Sequence, residues 1–425
     1  MGLAKAQMMR DEEQGWSAPD KYVCADCVED PFLKSLIERD ACARLCDYCD
    51  EASDSDIAAP VETILEAVAS TLTYYYSEPT AAGVPYDGEW LVEPTFTEDA
   101  LSGIPFVAND GLFEDVASAF DNTAWVPAAD GHWCSEHKGN ELVSAWDAFS
   151  DIVKHQSRFF FLTPSGDGNV EGVESDDWYA LGPPSPDKPS EILNEIAKAA
   201  RDFELVRSVD AGTTYFRVRE RSPDSDWKID GEHMGPPPSE LATAGRMNPA
   251  GIAYTYLGET PGVAIAEVLK GPPETAAVAC FRLRRTIRLL DLTQVPEPPS
   301  VFDETRRARR EVLSFFHRFL LSISQPVQKD GKEHINYVPS QIVCEYFSQV
   351  FRTEGGRSLD GIVYPSAVCP PGRNVVLFPE DDWIEDSSLL EFVSGEVLEL
   401  TTWRDFQPAL SLRTWADVMG RRRVG

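Results

Sequence analysis

The chain has 425 residues, a formal net charge of −33 and a hydrophobic fraction of 43%. That length calls for two or three domains, with enough apolar residues to build a core in each. The charge excludes a broad nucleic-acid surface, which needs clustered Lys and Arg against phosphates, and no apolar run reaches the roughly 18 residues of a membrane span.

Residues 1–20 are polar and without periodicity, and read as a flexible tail. No apolar stretch follows Lys5 and Arg10, so no signal peptide is expected and the cytoplasm is the expected location. Residues 21–55 hold five of the nine cysteines. Cys24-x2-Cys27 and Cys46-x2-Cys49 stand 18 residues apart, a spacing that lets two short knuckles bring four thiolates onto a tetrahedral zinc ion. So small a unit has little core of its own, and the metal would supply much of its folding energy. Reduced thiols or a redox pair are the alternatives, and Cys42, one helical turn before Cys46, is either a neighbour or another ligand. No nearby residue suits the activation of water, so the site reads as structural. Cys134, Cys280, Cys344 and Cys369 are scattered and read as core thiols. A helix is predicted over 31–45, with Pro31 in its first turn and Phe32, Leu36, Ile37 and Ala41 facing inward.

Residues 56–163 read as a helix-rich acidic domain. Val61, Ile64, Leu65, Val68 and Leu72 keep helical spacing over 60–76, and 97–125 and 138–160 are again helix-like. There is no Lys or Arg between Arg44 and Lys138, which makes either a solvated acidic face or a docking surface for a basic partner. Residues 164–190, rich in Gly, Pro, Asp and Ser, read as a linker or exposed loop.

The span 191–385 opens with an amphipathic helix over 190–206 and then changes texture. Strands are predicted at 214–219, 253–257, 276–283, 287–292, 361–364 and 374–378, with helices at 261–269, 303–323 and 338–351. The fold class is α+β: a mostly helical N-terminal half with a small zinc-knuckle unit, and a mixed α+β C-terminal domain. Residues 386–425 form a C-terminal extension, with a late strand at 396–403 and a frayed basic end at Arg421, Arg422 and Arg423.

Within that span, Arg217 in Phe-Arg-Val, Gly245-Arg246-Met247-Asn248, Tyr256, Glu267 and Gly361-Ile-Val-Tyr-Pro-Ser366 occur in an order that resembles the RES domain family, named for its recurring Arg, Glu and Ser. Tyr337-Val-Pro-Ser-Gln341 matches the family's connection into a later helix, and the N-terminal cysteine unit with the acidic region resembles the module found before HEPN or RES domains. Met247 stands where the family usually has an aromatic residue, so a flat stacking surface is expected to be missing from the pocket. The resemblance implies an ADP-ribosyltransferase-like fold that binds NAD and cleaves its nicotinamide–ribose bond. It implies Glu267, Arg217 and Ser366 as catalytic residues, and Arg217, Arg246, Tyr256, Asn248, Ser366 and Asn374 as NAD-binding residues.

The residue chemistry is compatible with those roles. Forked arginine donors suit a pyrophosphate. A carboxylate stabilises the positive charge that develops on the ribose. Ser366, with no paired histidine, suits orientation better than nucleophilic attack. Two other patterns are set aside: Arg310 and His317, separated by six residues, superficially match a HEPN ribonuclease motif, and Gly245-x5-Gly251 lacks Rossmann spacing.

The resemblance implies a toxin or defence effector that consumes NAD by hydrolysis or phosphorolysis. A protein ADP-ribosyltransferase is the enzymatic alternative, and a zinc-stabilised binding module with an inactive RES-like domain is the alternative of another class. Partners in these readings are NAD, inorganic phosphate, an antitoxin or regulatory protein, and a second copy of the chain in a homo-oligomer, with no membrane.

Overall fold

The computed structural model of the protein describes residues 3–104, 106–120, 123–128, 141–158, 189–222, 224–271, 274–324, 333–353, 355–379, 388–400 and 402–421. Its described residues fall into two compact units. One comprises mainly Met1–Ser144 with Glu297–Ser314, the other mainly Pro184–Pro296 with Phe315–Gly425.

In the first unit, helix Leu3–Gln14 forms where the sequence reads as a loose tail; its Ala, Lys, Met, Gln and Glu are good helix formers even without a periodic apolar face. Strand β1 (Tyr22–Cys24) pairs antiparallel with β2 (Ala58–Pro60). Between them, helix Pro31–Asp40 starts because the Asp30 carboxylate accepts from the backbone N–H groups of Phe32 and Leu33 at 2.9 and 3.1 Å. It ends before the predicted residue 45 because the amides of Cys42 and Ala43 donate to the Ala58 carbonyl instead of continuing the helix. Leu33 and Ile37 make its buried face. Helix Glu62–Tyr75 buries Ile64, Leu65, Val68 and Leu72, as its spacing predicts.

The helical reading of 97–125 is corrected. Thr97–Ser102 and Asp110–Ser118 are helices, and the chain then turns into a strand. Three short strands, β3 (Tyr76–Ser77), β4 (Thr95–Phe96) and β5 (Ala124–Pro127), form a sheet in the order β3-β5-β4, so the N-terminal half is only partly helical. Strands of two to four residues are too short to display a two-residue period.

The core of this unit also takes Phe302, 1% exposed, from a segment within the 191–385 span. Ser300 Oγ donates to Asp30 at 2.9 Å, Tyr74 donates to Glu311 at 2.7 Å, and the Arg307 guanidinium lies 4.1 Å from the Tyr74 ring centre. Residues 297–314 therefore fold with the N-terminal unit.

The second unit is organised by an eight-stranded sheet. Its strands are β6 (Val206–Val209), β7 (Thr214–Glu220), β8 (Thr255–Gly258), β9 (Glu274–Leu283), β10 (Ile287–Asp291), β11 (Gly361–Pro365), β12 (Arg373–Leu377) and β13 (Leu390–Leu400). They lie in the order β13-β9-β7-β8-β12-β11-β10-β6, antiparallel except for β10 beside β11. Tyr215, Leu257, Phe281, Leu289 and Val375 belong to one apolar cluster, while Phe216, Val218, Val278 and Cys280 join helix Pro261–Val268 in another. Helix Pro189–Asp202 ends before the predicted residue 206, and β6 takes up Val206 by pairing with β10. The late strand begins at Leu390, earlier than expected, because β13 follows β9 along its whole length. Cys280 and Cys344 are buried as expected; Cys134, residues 164–188 and the Arg422–Arg423 end lie outside the described residues.

Candidate functional site

Strands β7 and β8 pair at one position only, Phe216 with Gly258. At this junction lies a cavity of about 670 Å³ whose walls include Arg217, Arg246, Tyr256, Glu267, Tyr337 and Asn374. That size falls within the roughly 300–1,000 Å³ range of small-ligand sites. Gly258 lets helix Pro261–Val268 sit directly on β8, since a Cβ there would come 2.7 Å from the Ala264 backbone nitrogen.

Glu267 stands in the last turn of that helix, which Thr260 caps by accepting from the Val263 amide at 3.2 Å. Two donors hold one carboxylate oxygen: Ser366 Oγ at 2.7 Å and Asn374 Nδ2 at 2.5 Å, both onto Oε1. Both donors are buried, whereas Glu267 is exposed. The pairing of Tyr364 with Asn374 across β11 and β12 brings the two donors together. Ser366 Oγ also accepts from the Cys369 amide at 3.1 Å. Ser366 Oγ is thus held between the Glu267 carboxylate and the Cys369 amide.

Arg217 projects from β7, and its Nη1 is buried without a hydrogen-bond partner among the described residues. Burial, with Arg219 nearby, presses its guanidinium down to about 9, so the cation persists at neutral pH. A buried guanidinium nitrogen without a partner is costly unless a ligand pairs with it. Arg246 is held differently: Nη1 donates to the Ile323 carbonyl, and the guanidinium lies 5.9 Å from the Tyr337 ring centre.

The loop bearing Arg246 is fixed from behind. Gln341 Nε2 donates to the carbonyls of Gly245 and Asn248 at 2.7 and 2.9 Å, and Ser340 Oγ to that of Arg246 at 2.6 Å. Tyr256 donates to Asn248 Oδ1 at 2.8 Å and accepts from the Met247 amide at 3.0 Å; burial pushes its phenol well above the usual range. Asn248 is 4% exposed and spends its amide on the carbonyls of Thr243, Pro249 and Ile252. It is not among the cavity walls, so its place is behind Tyr256 as an organiser of the loop, not facing a ligand.

Met247 is likewise 1% exposed and packs on Cys344, away from the cavity walls. The substitution therefore alters the core behind the loop, which corrects the expectation of a missing stacking surface in the pocket. At Gly245 a Cβ would meet Asn248 Oδ1 at 2.5 Å and the Tyr256 hydroxyl at 2.7 Å. Gly245→Ala is expected to lower stability by about 1–3 kcal/mol through this overpacking and to weaken ligand binding, as a denaturation curve paired with a ligand titration checks.

Sequence reasoning passed over Tyr337 and Lys270, which line the cavity. Tyr337 opens the Tyr337-Val-Pro-Ser-Gln341 segment, whose resemblance signals it, whereas Lys270, just past the Glu267 helix, belongs to no pattern. Arg310 and His317 have structural partners, the carbonyls of Pro299 and Pro296 respectively.

The first unit holds the cysteine cluster. The ligand atoms of Cys24, Cys27, Cys46 and Cys49 all lie within 4.8 Å of one another. Measured edges are 3.8 Å for Cys24–Cys27, 3.6 Å for Cys24–Cys49 and 3.7 Å for Cys27–Cys46. A disulfide would be about 2.05 Å, while tetrahedral zinc with bonds of about 2.3 Å separates its sulfurs by about 3.8 Å, so the four residues fit a metal ion. The second knuckle is anchored by Asp47, which accepts from the Tyr22 amide at 2.6 Å, and by Tyr48, which donates to Asp115 at 2.7 Å. Cys42 is exposed and outside the cluster.

No curated protein and no solved structure gives a significant match to the chain. Two family models do match: the one described as HEPN/RES N-terminal domain 1 over residues 40–167, and the one described as RES domain over residues 214–390. The second covers β7 to the first residue of β13, with every cavity residue named above, and the first begins inside the cysteine unit. Residues 214–390 thus match a RES domain, and residues 40–167 ahead of them match a HEPN/RES N-terminal domain 1.

Proposed function

We propose that the cavity binds NAD and that the protein cleaves the nicotinamide–ribose bond, consuming NAD by hydrolysis or phosphorolysis as a toxin or defence effector. One observation carries this reading. A carboxylate anchored by two buried donors and an arginine whose buried Nη1 has no partner among the described residues line the same cavity.

Arg217, joined by Arg246, supplies donors to the pyrophosphate. With Oε1 held by Ser366 and Asn374, the other oxygen of Glu267 is available to a ribose hydroxyl, and its charge stabilises the cationic sugar as the bond breaks. The C1′–N bond gives its electron pair to nicotinamide. Water or phosphate then bonds to C1′, and a proton released from attacking water passes to Glu267 or solvent. Tyr256 and Tyr337 supply aromatic surface for the bases.

In the first unit, the four thiolates would hold structural zinc, whose bonds tie the two knuckles together. No helix among the described residues is long and apolar enough to cross a membrane; the cytoplasm remains the location we propose. An antitoxin that masks the cavity is the regulator this reading calls for, and a homo-oligomer remains a proposed assembly.

Labelled NAD incubated with and without phosphate, and in cell lysate, tests the assignment. ADP-ribose formed without phosphate identifies hydrolysis, ADP-ribose-1-phosphate identifies phosphorolysis, and label on a protein identifies ADP-ribosyl transfer. No turnover and no labelled protein contradicts the proposal and favours the binding-module reading.

Arg217→Met offers an independent check. Removing a guanidinium whose buried Nη1 has no partner among the described residues is expected to leave the unliganded protein at least as stable. The same change is expected to weaken ADP-ribose binding by at least about tenfold, the effect of losing a charge-assisted hydrogen bond of about 1.5–3 kcal/mol. Thermal melting with and without ADP-ribose reads both effects.

A further inference from the structure

The RES match ends at residue 390, and the chain beyond it packs on the elements that carry the site. After β13 come helices Trp403–Leu410 and Trp415–Arg421. The turn between them lies against the first turn of helix Pro261–Val268. The Gly262 amide, one of the helix's free N-terminal donors, gives its proton to the Leu412 carbonyl at 2.9 Å. A Cβ on Gly262 would stand 2.2 Å from the Leu410 carbonyl oxygen and 2.8 Å from that of Leu412. Phe406, Ala409 and Leu412 are buried in one cluster with Ala264 and Ile265.

Next, the Trp415 ring stacks on Phe216, with centres 6.2 Å apart and planes at 19°. Phe216 immediately precedes Arg217 in β7. Asp417 locks this part of the extension by accepting from the amides of Arg413 and Thr414 at 3.0 and 2.7 Å.

An eight-residue helix does not hold its own shape in water, so the orientation of Glu267 depends on what grips the helix. Ser366 and Asn374 grip it at the carboxylate. We infer that the C-terminal extension is a positioning element of the active site, in which the Leu410–Leu412 turn and Trp415 clamp the Glu267 helix and the Arg217 strand. It touches neither cavity nor substrate and acts through Gly262 and Phe216. The inference rests on the NAD-cleaving reading above.

The test uses the full chain as wild type, Trp415→Ala and Trp415→Phe, with NAD turnover and amide hydrogen exchange measured on each. In Trp415→Ala, kcat is expected to fall roughly ten- to a hundredfold, the effect of a misplacement of order 1 Å, with KM changed far less. Exchange should rise in residues 261–268 and 214–218 and stay unchanged in β10 and β11. Trp415→Phe, which keeps a ring on Phe216, should restore both readouts to within about threefold. If Trp415→Ala does not fold, Trp415→Phe and Trp415→Leu carry the same comparison, with the leucine variant expected to lose kcat. An unchanged kcat in a folded variant with faster exchange overturns the positioning role while leaving the NAD reading intact. A wild type that turns over no NAD overturns the reading and the inference together.

Discussion

Glu267→Gln is expected to reduce nicotinamide release by about 10²–10³-fold, the loss seen when one preorganised electrostatic group is removed from a reacting centre. The substitution preserves size. It also keeps an oxygen able to accept from Ser366 Oγ and Asn374 Nδ2, so the site's shape should survive. What disappears is the negative charge that stabilises the cationic ribose, and the loss should fall on kcat more than on KM. Asn374→Ala should act in the same direction but more weakly, since Ser366 still holds the carboxylate. A single-turnover assay separates these effects from product release.

The second large effect is expected in the N-terminal unit. Cys46→Ser, or removal of metal by a strong chelator, should unfold the knuckles and lower the stability of that unit by more than about 4 kcal/mol, the range of a lost metal site. Cys24, Cys27 and Cys46 are buried and meet around one point, so loss of one ligand or of the metal removes the centre on which both knuckles close. Cys42→Ser is the control: that thiol is exposed and outside the cluster, and its replacement should change neither metal content nor stability. Elemental analysis beside a denaturation curve checks both, and a protein purified without stoichiometric metal contradicts the zinc assignment.

How much was legible in the sequence depends on how local each feature is. The four-cysteine arrangement was readable because the knuckles carry their own spacing, and the geometry places all four sulfurs together. Helix Glu62–Tyr75 and strands β7, β9, β11 and β12 were readable because their apolar patterns run long enough to declare a period. The end of helix Pro31–Asp40 was not, because the Ala58 carbonyl, far along the chain, decides where Cys42 and Ala43 go.

The site divides in the same way. Arg217, Arg246, Tyr256, Glu267 and Asn374 line one cavity. That Ser366 and Asn374 share a single oxygen of Glu267 follows from the β11–β12 register, which no local motif encodes. The resemblance implied Asn248 as an NAD-binding residue and a stacking surface missing from the pocket at Met247. The loop turns them inward, one toward Tyr256 and the other toward Cys344. The migration of residues 297–314 into the first unit was likewise beyond local patterns, since Phe302 finds its core among residues near the chain's start.

The most direct test of the central claim is calorimetric titration of NAD into Glu267→Gln, which should bind without consuming it, beside the double variant Arg217→Met/Glu267→Gln. The account expects one NAD per chain in the first and at least about tenfold weaker binding in the second. No binding by Glu267→Gln, or equal binding by both, would contradict the placement of NAD in this cavity with its pyrophosphate on Arg217.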